Sequence, residues 1–490
     1  MRLIPAGRRW RKSSLAVAAV RDRRNSAGKR PNGAHRAPLQ SAILATVLCL
    51  FGAALPAVAQ IEKQAETYDL TLADCLTQTL TRNPDIQRLR VDVERALGDR
   101  LVYRSRVLPQ LAAQVQGGGR YGTLYSPEGP FGILSAQFSQ PLVDVGIPPT
   151  LRRGRLEVVA AQQSFNREVT ERLHEAQVTF LQALYLRDLI ALHEEIDQRL
   201  QANVASEQQR YDVGTGSEGA LAWAKIQRLN LARDLADLRG RYFSAVTRLA
   251  ELCGREPTET TNGLREVRLP KPVGTLRYQP LDPNWTELTT YALQHRADLK
   301  LLQALVDAAE NDKLVTRAGY FPFISLTASG LFLPENALLS KQSSVVPGQD
   351  TRTTEVRSGV AMTWRVIDNG QVTGASRRAE ATRQGYAIAL DQLKQNVPRE
   401  LAGIESNLQD ADARRAALLE SATAAEENLK MIEAQVAVGQ ATQFDFLKAQ
   451  GNLLSVRAGL VDATYAHEAA RADLDRATGR YLEYRTEVVR

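Results

Sequence analysis

One ordered series of landmarks occurs twice along the 490-residue chain, and any fold must accommodate that duplication. Leu108-Pro109 is matched by Phe321-Pro322, 213 positions on, and Arg82-Asn83-Pro84-Asp85 by His295-Arg296-Ala297-Asp298. Val143-Asp144-Val145-Gly146 is matched by Ile367-Asp368-Asn369-Gly370. Val213-Gly214 returns as Val438-Gly439, and Cys253-Gly254-Arg255 as Thr478-Gly479-Arg480, both 225 positions on. The growth of the offset places an insertion in the second copy, around Pro334 to Thr354. The expected layout is a leader at 1–59, a first repeat at 60–254, a Pro-rich linker at 255–284, a second repeat at 285–482 and a tail at 483–490.

Each copy reads as the same succession. A first helix, about 71–107 and 285–317, stops before Pro109 or Pro322, because proline lacks an N–H and disfavours helix in the preceding residue. Two charge-poor stretches with period-two alternation follow. In the second copy Ile324, Leu326, Ala328, Gly330 and Phe332 alternate with Phe323, Ser325, Thr327 and Ser329. Val356, Ser358, Val360, Met362, Trp364 and Val366 then alternate with their neighbours. Such alternation fits a membrane β-barrel wall and a soluble sandwich alike.

The long helices narrow the choice. From about 150 to 212, and from about 371 to 437, no Gly/Pro cluster interrupts sequence rich in Ala, Leu, Glu, Arg and Gln. Sixty residues of helix span roughly 90 Å, against a globular mean of about 11–12 residues. Leu447, Leu454 and Val461 recur every seventh residue, with Leu453 and Leu460 beside them, as in a coiled-coil seam. Pro398 should kink or break the second long helix. At Val213-Gly214 and Val438-Gly439 a helix-ending Gly is followed by Thr or Ser, so each long helix should turn back as a hairpin.

The net charge of +7 belongs to the leader. Residues 1–40 hold 11 Lys/Arg and one acid (+10), and 41–59 hold no charge, which leaves 7 − 10 = −3 for the rest. A nucleic-acid partner is therefore not expected. The basic stretch, the apolar run Ser41–Ala59 and its Ala57-Val58-Ala59 end read as a secretory signal peptide cleaved after about Ala59. Leu48 before Cys49 argues against a lipid anchor. Cys75 and Cys253 remain, and free buried thiols are the expected state.

These landmarks resemble the TolC-like outer-membrane efflux protein family over about 68–482. The resemblance rests on Leu72-x-x-Cys75-Leu76 with Asn83-Pro84-Asp85, on Leu108-Pro109-Gln110-Leu111, on Ser139-Gln140-Pro141-Leu142-Val143-Asp144-Val145-Gly146 and on Asp445-Phe446-Leu447-Lys448-Ala449-Gln450. It implies a mainly α fold with a β-barrel portion: a homotrimer whose twelve-stranded barrel crosses the outer membrane and continues as a long periplasmic α-helical barrel. It also implies a passive exit that docks on a periplasmic adaptor (a membrane fusion protein) and an inner-membrane transporter, for efflux or type I secretion. The outer membrane would be that of a Gram-negative bacterium. Closure across chains has a physical reason, since an open four-stranded sheet in lipid leaves unpaired backbone groups.

The resemblance places Val213, Gly214, Thr215, Val438, Gly439 and Gln440 at the adaptor-contacting tips, and offers Asp445 as a periplasmic gate. Lys448 stands where a further acid would fit, and pairing of Asp445 with Lys448 is the competing role. His174, His193, His295 and His467 are scattered through helical sequence, where solvated positions are expected. No catalytic constellation, cofactor motif or metal spacing is expected. The alternative class is a periplasmic coiled-coil adaptor or scaffold, which shares long helical hairpins but lacks four alternating strands.

Overall fold

The computed structural model describes residues 67–120, 129–255, 258–259, 265–266, 268–333 and 353–483. The expected leader, most of the 334–354 insertion and all but the first residue of the 483–490 tail lie outside the described residues.

In the first copy a short strand β1 (Tyr68–Leu70) leads into α1 (Leu72–Arg82) and α2 (Pro84–Ser105). Strands β2 (Gln110–Arg120) and β3 (Gly129–Val143) follow, then α3 (Ile147–Asp212) and α4 (Glu218–Leu252). Between the copies lie β4 (Thr258–Glu259), β5 (Arg265–Glu266) and β6 (Pro270–Pro272). The second copy repeats the order with α5 (Trp285–His295), α6 (Ala297–Arg317), β7 (Phe323–Leu333), β8 (Thr353–Thr363), α7 (Gln371–Ala437) and α8 (Gln443–Thr478). Paired lengths agree closely, 11 with 11 residues for α1 and α5, and 66 with 67 for α3 and α7.

Three sequence expectations are corrected. The first helix of each copy is two helices. Pro84 opens α2, and Asn83 caps it by accepting from Asp85 N (3.0 Å) and Ile86 N (3.3 Å). The second copy breaks at Arg296 without a proline, with φ −57° and ψ 129°. Second, Pro398 does not break α7, which runs unbroken from Gln371 to Ala437; Pro398 and Lys394, whose carbonyl the ring frees, are exposed to solvent. Third, β8 covers Thr353–Thr363 rather than 356–366, because its partner begins at Phe323, paired with Thr363, directly after Pro322. Within the expected linker, β6 pairs in parallel with β1.

The helices form one layer, in which α3 and α7 run its full length, about 100 Å each at 1.5 Å per residue. At one end the neighbour order is α2–α3–α6–α7, and at the other it is α4–α3–α8–α7. The leucine repeats of α8 explain this. Leu447 and Leu454 pack on Ile196, Leu200 and Leu231 of the first hairpin, whereas Leu453 packs on Leu429 of α7. Two narrow seams give α8 a neighbour on either side and leave its other two sides wet.

Two cores brace the middle of the layer. The first gathers Leu70, Cys75, Ile86, Val169, Phe180, Leu249 and Leu252, and the second Leu288, Leu299, Val397, Leu401, Leu474 and Ala477. The duplication sets them out: Cys75, Ile86, Leu249 and Leu252 stand in the places of Leu288, Leu299, Leu474 and Ala477. Burying each large apolar side chain is worth about 1.5–3 kcal/mol.

The sheet joins the two copies in the order β2-β3-β7-β8, antiparallel throughout. Directly opposed residues share a face, so the register decides what each face carries. One face holds Leu111, Val115, Leu134, Phe138, Leu326, Phe332, Val356, Val360 and Met362. The other holds Gln110, Gln114, Gln137, Ser139, Ser325, Thr327, Ser329, Arg357 and Thr363. The apolar face is exposed in the single chain, with Val115 80% and Val356 76% accessible. The ends of β7 and β8 are separated by positions 334–352 and those of β2 and β3 by 121–128, which puts the extra length of the second copy between its strands.

Candidate functional site

The hairpin ends are built by one device used twice. At the first tip Val213 caps α3 and Gly214 takes φ +79°; at the second Val438 caps α7 and Gly439 takes φ +77°. Gly214 N donates to Tyr211 O (2.9 Å) and Thr215 N to Arg210 O (2.9 Å); Gly439 N donates to Val436 O (3.1 Å) and Gln440 N to Gln435 O (2.8 Å). This paired pattern satisfies the last helical carbonyls and needs the left-handed residue that glycine adopts freely. Val213 and Val438 project from the ends, 73% and 70% exposed. Val213, Gly214, Thr215, Val438, Gly439 and Gln440 therefore all lie at the two turns.

The returning helices start differently. Ser217 caps α4 by accepting from Ala220 N (3.2 Å). Thr442 caps α8 within a full capping box, in which Asp445 Oδ2 accepts from Thr442 N (3.0 Å) and Thr442 Oγ1 (2.6 Å). The hydroxyl and backbone hydrogen bonds of Thr442 hold the Asp445 carboxyl below the usual range, with a smaller contribution from the charge of Lys448. Asp445 is thus committed to Thr442 rather than bonded to Lys448, which is exposed. The box is possible at one tip only, because Ala220 stands where the second copy has Asp445.

The two tips are tied together. Gln443 Nε2 donates to Asn203 Oδ1 of α3, and Trp223 of α4 lies against Phe444 of α8 with ring centroids 6.2 Å apart. Behind them is a cleft of about 370 Å³ lined by Leu200, Trp223, Leu231, Phe444 and Leu454, with Gln450 on its wall. Gln450 is 2% exposed and its amide has no hydrogen-bond partner. This cleft was not anticipated from the sequence, although two large aromatics close behind the helix caps in Ala-rich helices were the available signal.

The histidine expectation is corrected at one position. His467 is fully buried on α8, with Asp412 Oδ1 and Glu468 Oε1 each 3.4 Å from a ring nitrogen. His174 Nε2 lies 2.8 Å from Asp473 Oδ1. Among the described residues no group of three metal-ligating side chains is assembled, and no helix is long and apolar enough to cross a membrane.

Comparison with known proteins adds an independent line. The family model described as outer membrane efflux protein matches residues 75–255 and 288–480, one span per copy. The chain is 23% identical over 414 residues to the outer membrane efflux protein BepC of Brucella suis biovar 1 (strain 1330), covering 84% of this chain and 85% of BepC. It is 22% identical over 334 residues to the proteases secretion protein PrtF of Dickeya chrysanthemi, covering 68% and 69%. Among solved structures, the Campylobacter jejuni CmeC outer membrane channel superposes with a TM-score of 0.70 at 13% identity, covering 85% of this chain and 89% of that one. A membrane protein from Pseudomonas aeruginosa superposes with a TM-score of 0.69 at 19% identity, covering 84% and 91%.

Proposed function

The chain belongs to the outer membrane efflux protein family, and from that membership we propose how its parts divide the work of export. The protein is an outer-membrane channel of a tripartite export system, serving efflux or type I secretion. Its sheet spans the membrane, and its helical layer reaches into the periplasm.

The observation that carries this reading is the two-faced sheet. One face is mainly apolar over all four strands and exposed in the single chain, with Gln140, Thr354 and Ser358 as its polar members. The opposite face is mainly polar, with Ile133, Phe323 and Leu331 among its glutamines, serines and threonines. A water-filled barrel in lipid needs that arrangement. The strands β2 and β8 are sheet edges, and edges in hydrocarbon must be paired. Three copies, each joining its β8 to the β2 of the next, give a closed barrel of twelve strands. We read 60–254 and 285–482 as the two repeats, and the connection 334–352 as an extracellular loop.

The proposed partners are two further copies, outer-membrane lipid, a periplasmic adaptor and an inner-membrane transporter. Val213, Gly214, Thr215, Val438, Gly439 and Gln440 are the proposed adaptor contacts, supported by their place at the exposed turns. Asp445, beside Lys448, is the proposed gate. A passive conduit needs no catalytic group, and we assign none. The adaptor or scaffold alternative leaves the apolar face of the sheet without a purpose.

Extraction with the outer membrane only in detergent, cross-linking to a trimer and conductance in planar bilayers are the expected results. A protein that fractionates as soluble periplasmic monomer overturns the proposal. Co-purification from native membranes identifies the adaptor and transporter.

A further inference from the structure

Cys75 and Cys253 lie 178 positions apart, yet the fold brings their Sγ atoms to 3.8 Å. Both are fully buried. Cys75 sits on α1, and Cys253 is the cap residue that ends α4. They are the only cysteines among the described residues. We propose that these two thiols close into a disulfide that staples the α1 strap to the end of the first helical hairpin. The proposal rests on the outer-membrane reading, because that location exposes the folding chain to the oxidising periplasm.

The geometry asks for little. A disulfide has sulfurs about 2.05 Å apart, so rotation of two side chains already in contact has under 2 Å to close. The pair occupies the core that joins α1, α3 and α4, where Gly254 fixes the turn after Cys253 at φ +64° and Asn83 Nδ2 donates to Leu252 O at 3.0 Å. These contacts hold both cysteine-bearing elements against each other before any bond forms. The site also has an asymmetry that packing alone does not need. The second copy keeps the same junction, with Arg296 Nη1 donating to Ala477 O at 3.2 Å, but places Leu288 and Thr478 where the first has Cys75 and Cys253.

The strap that carries Cys75 is also fastened in the first core by Leu76 and Leu80. It enters through β1, whose ladder to β6 covers three residues. In the second copy the equivalent helix α5 is followed by the Arg296–Asp298–Glu400 network, whose counterpart in the first copy joins Arg172 to Asp85 and Glu175.

The chemistry balances with a periplasmic dithiol oxidase as acceptor. A Cys253 thiolate attacks the oxidase disulfide and forms a mixed disulfide, releasing one oxidase thiolate. The Cys75 thiolate then attacks Sγ of Cys253 and expels the second oxidase thiolate. Two protons leave the channel thiols, two electrons pass to the oxidase, and one S–S bond is gained as one is lost. Because the pair is buried in the folded chain, exchange takes place while the strap is still docking.

The test uses the full protein extracted from outer membranes without reductant, denatured in the presence of an alkylating agent and digested with trypsin. The expected result is residues 64–82 joined to residues 249–255 in one species, separating only after reduction. Recovery of both peptides alkylated before reduction overturns the proposal. Fractionation of the same cells reports location separately, so free thiols in an outer-membrane protein sink the disulfide and leave the export reading standing. A second preparation, from cells lacking the dithiol oxidase, should yield alkylated Cys75 and Cys253; a linked species there overturns the assigned route.

Discussion

At the scale of single residues, the two copies are held by equivalent junctions made from different side chains. Asn83 reaches Leu252 O in the first, and Arg296 reaches Ala477 O in the second while also holding Asp298 and Glu400. Gly254 marks how close the first junction is. A Cβ there would sit 2.7 Å from the carbonyl carbon of Arg82, and the backbone is already left-handed. Gly254→Ala should therefore cost at least about 2 kcal/mol, read as a lower denaturant midpoint; an unchanged midpoint refutes the close fit. The junctions also set an acid limit. Burial pushes the Glu175 carboxyl up, but hydrogen bonds from Arg248 and Arg172 outweigh it and hold its pKa down. Asp298 is likewise raised by burial and lowered further by Arg296. Carboxyls with depressed pKa stabilise the fold above their ordinary values of 4.5 and 3.8, and that contribution is lost as pH falls through the folded values. The melting temperature should accordingly fall as pH is taken from about 5 to about 3, and a flat profile in that window counts against these pairs as stabilising.

At the scale of elements, the tips separate turn-making from function. Both turns are made by the same glycine geometry, and the main difference between the tips is what begins the returning helix. Asp445 closes the capping box of α8 by its bonds to the cap residue Thr442, and losing a helix cap costs about 1 kcal/mol. Asp445→Asn keeps an acceptor for the Thr442 backbone and removes the charge. If Asp445 also gates the pore, that variant should change conductance and lower cation preference in planar bilayers with little loss of stability. Unchanged cation preference removes the gate role and leaves the cap. The helix break at Arg296 was hidden from sequence reasoning for an element-scale reason. No proline or cap residue marks it, and the break is made by a side chain reaching partners 104 and 181 positions away.

At the scale of the whole molecule, the inner strands and inner helices follow one rule: neighbours on two sides, solvent or lipid on the others. Leu447 and Leu454 on one seam of α8 and Leu453 on the other place α8 between the first hairpin and α7. In the sheet, Val360 and Ala361 of β8 point to opposite faces, opposite Leu326 and Ser325 respectively. Val360→Arg should cost about 2–4 kcal/mol in a bilayer, because it puts a charge at mid-strand into hydrocarbon. Ala361→Arg should insert normally and change conductance instead. Unfolding in lipid vesicles, with conductance measured in parallel, decides this, and equal penalties for both variants would refute the two-faced assignment.

The sequence by itself determined what repeats locally: the duplication, the period-two strands, the two long helices, the glycine turns at 214 and 439 and the family they resemble. Each of these is written in the spacing of neighbouring residues, where backbone geometry imposes its period. The tertiary structure alone decided which apolar seam meets which helix, that Arg296 breaks a helix, that His467 is buried beside two carboxylates and that Cys75 meets Cys253. Those outcomes depend on residues far apart in the chain. A local pattern states that a face is apolar but not what will cover it, and only packing brings such distant positions to one place.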